Sequence, residues 1–268
     1  MPITLLFDPI KAKRPMRVAA FMSGSGTNIL RLIEREGTLK SRDGRSPFQV
    51  IFVFSDRSDG SSHGERIALD AGIPYFSYDI RSFHRSRGIP RTVATAEGLR
   101  GRREYDSIAQ GLIEAFDIDV IALGGYMSFI TLQGCVNVHP ADLSILTAEG
   151  RRKYVGDHAV LDAISAGEQV LRSSTLWTDQ GVDTGPLLMV SAALKVELPE
   201  PLDSLLDNHE RLTRIADEHQ ERLKEVGDWQ IFPQTIEMIA RGRFGLDEQD
   251  NVYVDGRPVP QGYREQGS

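Results

Sequence analysis

Residues 17–34 read RVAAFMSGSGTNILRLIE, and this stretch decides the fold class. The apolar run at 18–22 has the composition of a buried strand. Ile29, Leu30, Leu32 and Ile33 follow at helical spacing. Between them Gly24 and Gly26, with Ser23, Ser25, Thr27 and Asn28, make a strand-to-helix turn. Such a turn aims free backbone N–H groups and the positive end of a helix dipole at an anion. No Gly-Lys-Ser/Thr follows, so this is not a nucleoside triphosphate loop. A dinucleotide loop would place a third glycine where Ile29 stands, and Asp56 lies too far on to be its ribose carboxylate. From the loop alone a phosphate monoester is narrowly favoured over a dinucleotide. The plain alternative is a helix capped by Ser or Thr with no ligand.

The alternation continues outward from this stretch. Residues 48–54 (FQVIFVF) are nearly all apolar, as in a strand buried on both faces. A short helix is expected at 63–71 and a short strand at 74–78. The basic, Gly-containing segment 81–102 reads as a loop or insertion. Residues 104–116 place Tyr105, Ile108, Leu112 and Phe116 on one helix face, and 119–123 starts another strand. This order predicts a Rossmann-like α/β fold, a mostly parallel sheet flanked by helices. Further on, 136–138, 173–178 and 187–196 read as strands and 157–166 as a helix. A long helix over 201–226 would turn Leu205, Leu212, Ile215 and Leu223 inward, and another helix covers 231–241. VYVDGRPVPQGY at 252–263 reads as a hairpin around Asp-Gly. Residues 1–16 form an N-terminal extension and 17–268 a single domain, with a phosphate-binding half at about 17–125 and a catalytic half at about 126–268.

The 268 residues suffice for a sizeable core, and 40% hydrophobic with 26% charged residues is ordinary for a globular chain. A formal charge of −7 gives no global attraction to nucleic acid. No apolar run is long enough for a membrane helix. Lys11, Lys13 and Arg14 follow the first apolar stretch rather than precede it, unlike a signal peptide. The single cysteine, Cys135, fits a reducing cytoplasm. No His or Cys spacing suits a zinc site, so no metal is expected. Nothing in the pattern sets an oligomeric state.

Two polar stretches carry chemistry. In VNVHP, at 136–140, Asn137 and His139 are two apart on a strand and share a face. At the carboxyl edge of a parallel sheet they would meet a ligand, the His as acid or base and the Asn as a donor to an oxyanion. An ordinary strand end is the bland reading. In DQGVDTGP, at 179–186, Asp183 lies in a turn between two strands. Its carboxylate could orient the imidazole and stabilise its charged form. A turn aspartate bonded to its own backbone is the bland alternative. Asn, His and Asp without a Ser or Cys nucleophile suit transfer to an amine supplied by the substrate. Cys135 precedes Asn137 by two residues, but a lone Cys at a strand start reads as core.

These residues resemble the folate-dependent formyltransferases. RVAAFMSGSGTNILRLIE, DVIALGGYMSFI, VNVHPADL, DQGVDTGP and VDGRPVPQGY carry the resemblance in order from about Arg17 to Tyr263. The glycine loop and the tail favour the branch that formylates glycinamide ribonucleotide in purine biosynthesis. The resemblance implies 10-formyltetrahydrofolate as cosubstrate and small-molecule partners only. It implies that Asn137 binds the oxyanion, that His139 is the catalytic histidine and that Asp183 assists proton transfer. Gly24, Ser25, Gly26, Thr27 and Asn28 would bind the substrate phosphate. Met127, Ser128, Ile130, Asp179 and Val182 would line the folate pocket, several of them through backbone.

The chain departs from the family at several points. Ser128 stands where an arginine is usual. The segment between Met127 and Asn137 is shorter, and that between His139 and Asp183 longer. ADLSIL follows NVHP in place of Ser-Leu-Leu-Pro, KYVG stands at the family's Tyr-Pro-Gly turn, and Trp177 takes a polar strand position. The late-helix glutamate that binds ribose hydroxyls has Glu225 and Asp228 as its nearest counterparts. The alternatives are a different acceptor, such as an amino sugar, or water, as in a formyltetrahydrofolate hydrolase. The hydrolases carry an extra N-terminal domain, and the methionyl-tRNA formyltransferases a C-terminal RNA-binding barrel. The flanking lengths here are short for both.

Overall fold

The structure is a computed structural model that describes residues 2–265. Residue 1 and residues 266–268, the outer ends of the two expected ranges, lie outside the described residues. In chain order the elements begin with β1 (Thr4–Leu5), α1 (Pro9–Ala12), β2 (Met16–Met22), α2 (Thr27–Asp43) and β3 (Phe48–Ser55). Next come α3 (Gly64–Ala71), β4 (Tyr75–Ser77), α4 (Ile80–Arg87), α5 (Ala96–Ala115), β5 (Val120–Leu123) and β6 (Cys135–His139). Then follow α6 (Ala159–Ser165), β7 (Val170–Leu171), β8 (Ser174–Trp177), β9 (Leu187–Val190), β10 (Leu194–Lys195), α7 (Leu202–Leu206) and α8 (His209–Leu223). A π-helical turn at Lys224–Asp228 leads into α9 (Trp229–Ala240), and β11 (Phe244–Leu246), β12 (Val252–Val254) and β13 (Arg257–Pro258) complete the chain. The expected α/β architecture, mostly parallel strands with helices around them, is present. Among the described residues no helix is long and apolar enough to cross a membrane.

The chain divides into two compact units, and the division falls inside β6, after Asn137. The first unit comprises Phe7–Asn137 with Ala240–Gly242. Its strands lie side by side in the order β4-β3-β2-β5-β6, all parallel. β2 buries every residue but Arg17, which accounts for its unbroken apolar run. Phe21, Phe52, Phe54, Tyr105, Tyr126 and Ile130 share one buried cluster with Cys135, so the cysteine is core as expected. α2 continues to Asp43, ten residues past Ile33, the last of the helically spaced apolar positions. Its Glu36 is buried and productive, accepting from Val50 N at 2.9 Å.

The 81–102 segment is not a loop. It forms α4 and the first turns of α5. Asp79 caps α4 by accepting from Ser82 N at 2.6 Å, and Thr95 caps α5 by accepting from Gly98 N at 3.1 Å. Phe83 and His84 face inward from α4.

In the second unit β8 pairs antiparallel with β9, β7 with β10, and β1-β11-β12-β13 form a small antiparallel sheet. The hairpin expected at 252–263 is present: Asp255 and Gly256 both have positive φ between β12 and β13. The helix expected over 201–226 is broken. Asp207 ends α7, and Asn208 caps α8, accepting from Arg211 N at 3.1 Å. The four leucine and isoleucine positions expected inward are nonetheless all buried. The strand expected over 187–196 is interrupted, because Ser191 turns aside and its Oγ accepts from Ser173 N at 2.9 Å.

Candidate active site

In the first unit β2 delivers the glycine loop to the start of α2. Gly26 is the cap residue, with φ 68° and no side chain closing the helix end. The capped-helix alternative with a Ser or Thr at that position is therefore not what the chain adopts. The N–H groups of the first turn have no acceptor within the helix. A side chain at Gly26 would put its Cβ 2.5 Å from Met22 Cε and 2.7 Å from Ile67 Cδ1. The loop is held from behind: His63 N donates to Gly24 O at 3.0 Å, and Ser23 N to Gly125 O at 3.0 Å. Ser25 is exposed, Gly24 and Thr27 are half-buried, and Asn28 is buried.

The loop after β5 carries Met127, Ser128 and Ile130. Several hydrogen bonds pin it within the same unit. Met127 N donates to Ser23 Oγ at 2.9 Å. Asp106 Oδ2 accepts from both the N and Oγ1 of Thr131, each at 2.7 Å. Arg102 Nη2 donates to Asp106 Oδ1 at 2.7 Å and to Tyr126 Oη at 3.0 Å. The Arg102–Asp106 pair is almost fully buried, with side chains 2% and 3% exposed. Ser128, standing where an arginine is usual, donates its hydroxyl to the buried carboxylate of Asp56. Met127 is 65% exposed, whereas Ile130 lies in the core, so only its backbone is available to a ligand.

In the second unit the structure brings His139 and Asp183 together. His139, 5% exposed, has its Nε2 3.0 Å from Tyr154 O. A carbonyl only accepts, so Nε2 is the donor there. Nδ1 faces Asp183 Oδ2 at 3.4 Å. The same oxygen accepts from Gly156 N at 2.9 Å. Asp183 has φ 53°, a left-handed conformation that is uncommon outside glycine but that Asp adopts more readily than most residues. Arg152 holds it there: Nη1 donates to the Asp183 carbonyl and Nη2 to Gly185 O at 2.7 Å. Burial pulls the Arg152 guanidinium below its usual range, and the carboxylates of Asp183 and Asp179 oppose that shift. Asp179 is a turn residue whose Oδ1 accepts from Gly181 N at 2.9 Å and from Thr184 Oγ1 at 2.7 Å. Val182 is 56% exposed.

Asn137 lies two residues before His139 on β6, half-buried, and pairs in register with Leu123. Asp228 is buried and accepts from Ser173 Oγ at 2.5 Å, while Glu225 is exposed. Sequence reasoning missed Arg152, the Tyr154 carbonyl, the Gly156 amide and the Arg102–Asp106 clamp. Two of these act through backbone and carry no side-chain signal. The RRKY run at 151–154 was the only trace of Arg152.

The family model described as "Formyl transferase" matches residues 16–210. The phosphoribosylglycinamide formyltransferase of Haemophilus influenzae is 24% identical over 254 residues, covering 91% of this chain and 96% of that protein. The trifunctional purine biosynthetic protein adenosine-3 of Drosophila melanogaster is 27% identical over 238 residues, which is 86% of this chain but only 14% of the fly protein. Among solved structures, the phosphoribosylglycinamide formyltransferase of Coxiella burnetii superposes with a TM-score of 0.64 at 22% identity, covering 94% of this chain and 99% of that one. The fold is thus shared with that enzyme, and over its matched residues this chain belongs to the formyl transferase family.

Proposed function

We propose that this protein transfers the formyl group of 10-formyltetrahydrofolate to the amine of glycinamide ribonucleotide. The observation that carries the reading is His139, held at Nε2 by the Tyr154 carbonyl and faced at Nδ1 by Asp183. With Nε2 fixed, Nδ1 is the working nitrogen. Its 3.4 Å contact to Asp183 is too long to bind the nitrogen tightly and leaves it free to turn to a substrate oxygen. The acceptor amine attacks the formyl carbon. Asn137 and His139 donate to the oxygen on which charge develops. Asp183 faces the ring at Nδ1 and takes the proton the amine sheds. The new carbon–nitrogen bond forms first; the carbonyl then re-forms as the bond to the folate nitrogen breaks, and that nitrogen takes up the proton that Asp183 accepted. Holding the amine and the formyl group in line supplies several kcal/mol of the barrier reduction.

The folate is a cosubstrate, and the loops suit it in part. Met127 and Val182 are exposed apolar side chains of a kind that covers the face of a ring. Ile130 contributes backbone only. At the other substrate, the uncapped start of α2 offers N–H donors to one phosphate. The names of the Haemophilus and Coxiella relatives favour glycinamide ribonucleotide as acceptor.

The test is incubation with 10-formyltetrahydrofolate, with and without glycinamide ribonucleotide, while tetrahydrofolate release is followed. Release that requires the ribonucleotide is expected. Equal release without it points to hydrolysis. Release only with another amine, such as an amino sugar, moves the acceptor.

A further inference from the structure

The longer segment between His139 and Asp183 contains a small hairpin. Leu146 and Arg152 bridge antiparallel, Thr147 N donates to Arg151 O at 2.7 Å, and Lys153 N donates to Ile145 O at 3.0 Å. Gly150 N closes the turn on Thr147 O at 2.9 Å. Three consecutive alternate residues on its outgoing limb then touch the catalytic pair. Arg152 holds the carbonyls of Asp183 and Gly185, Tyr154 O takes His139 Nε2, and Gly156 N donates to Asp183 Oδ2. Two of the three act through backbone, so Arg152 is the one whose side chain can be changed.

We propose that Arg152 is a positioning residue for Asp183, the hairpin guanidinium fixing the carbonyls on either side of Thr184 so that the Asp183 carboxylate faces His139. This rests on Asp183 being the proton-handling carboxylate of the proposed reaction. The guanidinium is planar and forked, and its two donors meet two carbonyls of one tight turn. The turn itself has no slack. A Cβ at Gly185 would fall 1.9 Å from Trp177 O, and Trp177 N donates to Pro186 O at 2.9 Å. The left-handed residue Asp183 is bonded by Arg152 at its carbonyl and by Gly156 N at Oδ2, and only the first of these is a side-chain bond. Lysine keeps the charge but cannot bridge both carbonyls in one plane.

Arg152→Gln, Arg152→Lys and Asp183→Asn are purified, checked for folding by circular dichroism, and assayed with 10-formyltetrahydrofolate and glycinamide ribonucleotide. Arg152→Gln is expected to lower kcat by about 10- to 100-fold, with both KM values changing less than about threefold, because misplacement of a reacting group by an ångström costs rate rather than binding. Arg152→Lys is expected to lie between Arg152→Gln and the parent protein in kcat. A folded Arg152→Gln with parental kcat, or with a loss confined to KM or to thermal stability, overturns the proposal. Should Arg152→Gln not fold, Arg152→Lys decides: a lowered kcat at unchanged KM supports the two-carbonyl clamp, and a parental kcat overturns it. Asp183→Asn separates the two readings. Full activity in that variant removes the underlying mechanism. An inactive Asp183→Asn beside a parental Arg152→Gln removes only the role given to Arg152.

Discussion

Gly26→Ala is the most informative change in the glycine loop, because two costs add at one atom. The residue sits at φ 68°, where an L side chain costs roughly 1–2 kcal/mol. The new methyl would also lie 2.5 Å from Met22 Cε and 2.7 Å from Ile67 Cδ1, distances that force neighbours to move. Overpacking of that kind costs about 1–3 kcal/mol. The sum is about 2–5 kcal/mol, less whatever the flexible Met22 relieves, or a fall in Tm of about 4–9 °C at this size. Gly24→Ala is the matched control. Nothing lies within 4 Å of its Cβ, so its stability should stay within about 0.5 kcal/mol. Urea and thermal unfolding of both variants, read by circular dichroism, give the comparison. The KM for the phosphorylated amine adds the functional half: Gly24→Ala should raise it while leaving the unfolding midpoint in place, since a methyl there obstructs close approach of an anion to the backbone. A Gly26→Ala protein as stable as the parent would refute the steric argument. A Gly24→Ala protein with unchanged KM would refute the placement of the phosphate.

Other expectations follow from buried groups in the first unit. Arg102→Met should cost about 3–5 kcal/mol in urea unfolding, because it strands the buried Asp106 carboxylate; a loss under about 1 kcal/mol would contradict the clamp. Burial pushes the phenols of Tyr105 and Tyr126 above their ordinary value of 10.0. Above pH 10 the unfolded chain therefore binds fewer protons at these sites than the folded one, and stability falls as pH rises. Unfolding midpoints measured across alkaline pH should decline, with a shallower slope in Tyr105→Phe and in Tyr126→Phe. Unchanged slopes in both variants would remove these tyrosines from the account.

The candidate constellation was legible because each part is local in sequence. Asn137-x-His139 depends only on strand periodicity, and Asp183 on a Gly-flanked turn. The glycine loop likewise announces itself between an apolar run and a helical pattern. Residues 81–102 were misread for a specific reason. Gly98 and Gly101 look like loop signals, yet they are close-approach positions inside α5. A Cβ at Gly98 would fall 1.8 Å from Thr92 O, and one at Gly101 would fall 2.6 Å from Ile89 Cγ2. The exposed arginines of the segment then hid the short inward face of Phe83 and His84. Arg102 looked like one more surface cation, because its burial depends on Asp106 and Tyr126, the second of them 24 positions away. The break at 207–208 was hidden because Leu205 and Leu212 keep helical spacing across it. The hold on His139 and Asp183 could not be read at all, since a backbone carbonyl takes the first and a backbone amide bonds the second.

The central claim is that Asp183 and His139 act as one proton-handling unit in amine-dependent formyl transfer. The kcat of Asp183→Asn in the tetrahydrofolate-release assay with glycinamide ribonucleotide tests it most directly. The substitution keeps the size of the side chain and removes the charge that faces Nδ1. The account predicts a loss of about 10²- to 10⁴-fold with the fold intact. A folded Asp183→Asn protein turning over within a few-fold of the parent would contradict it.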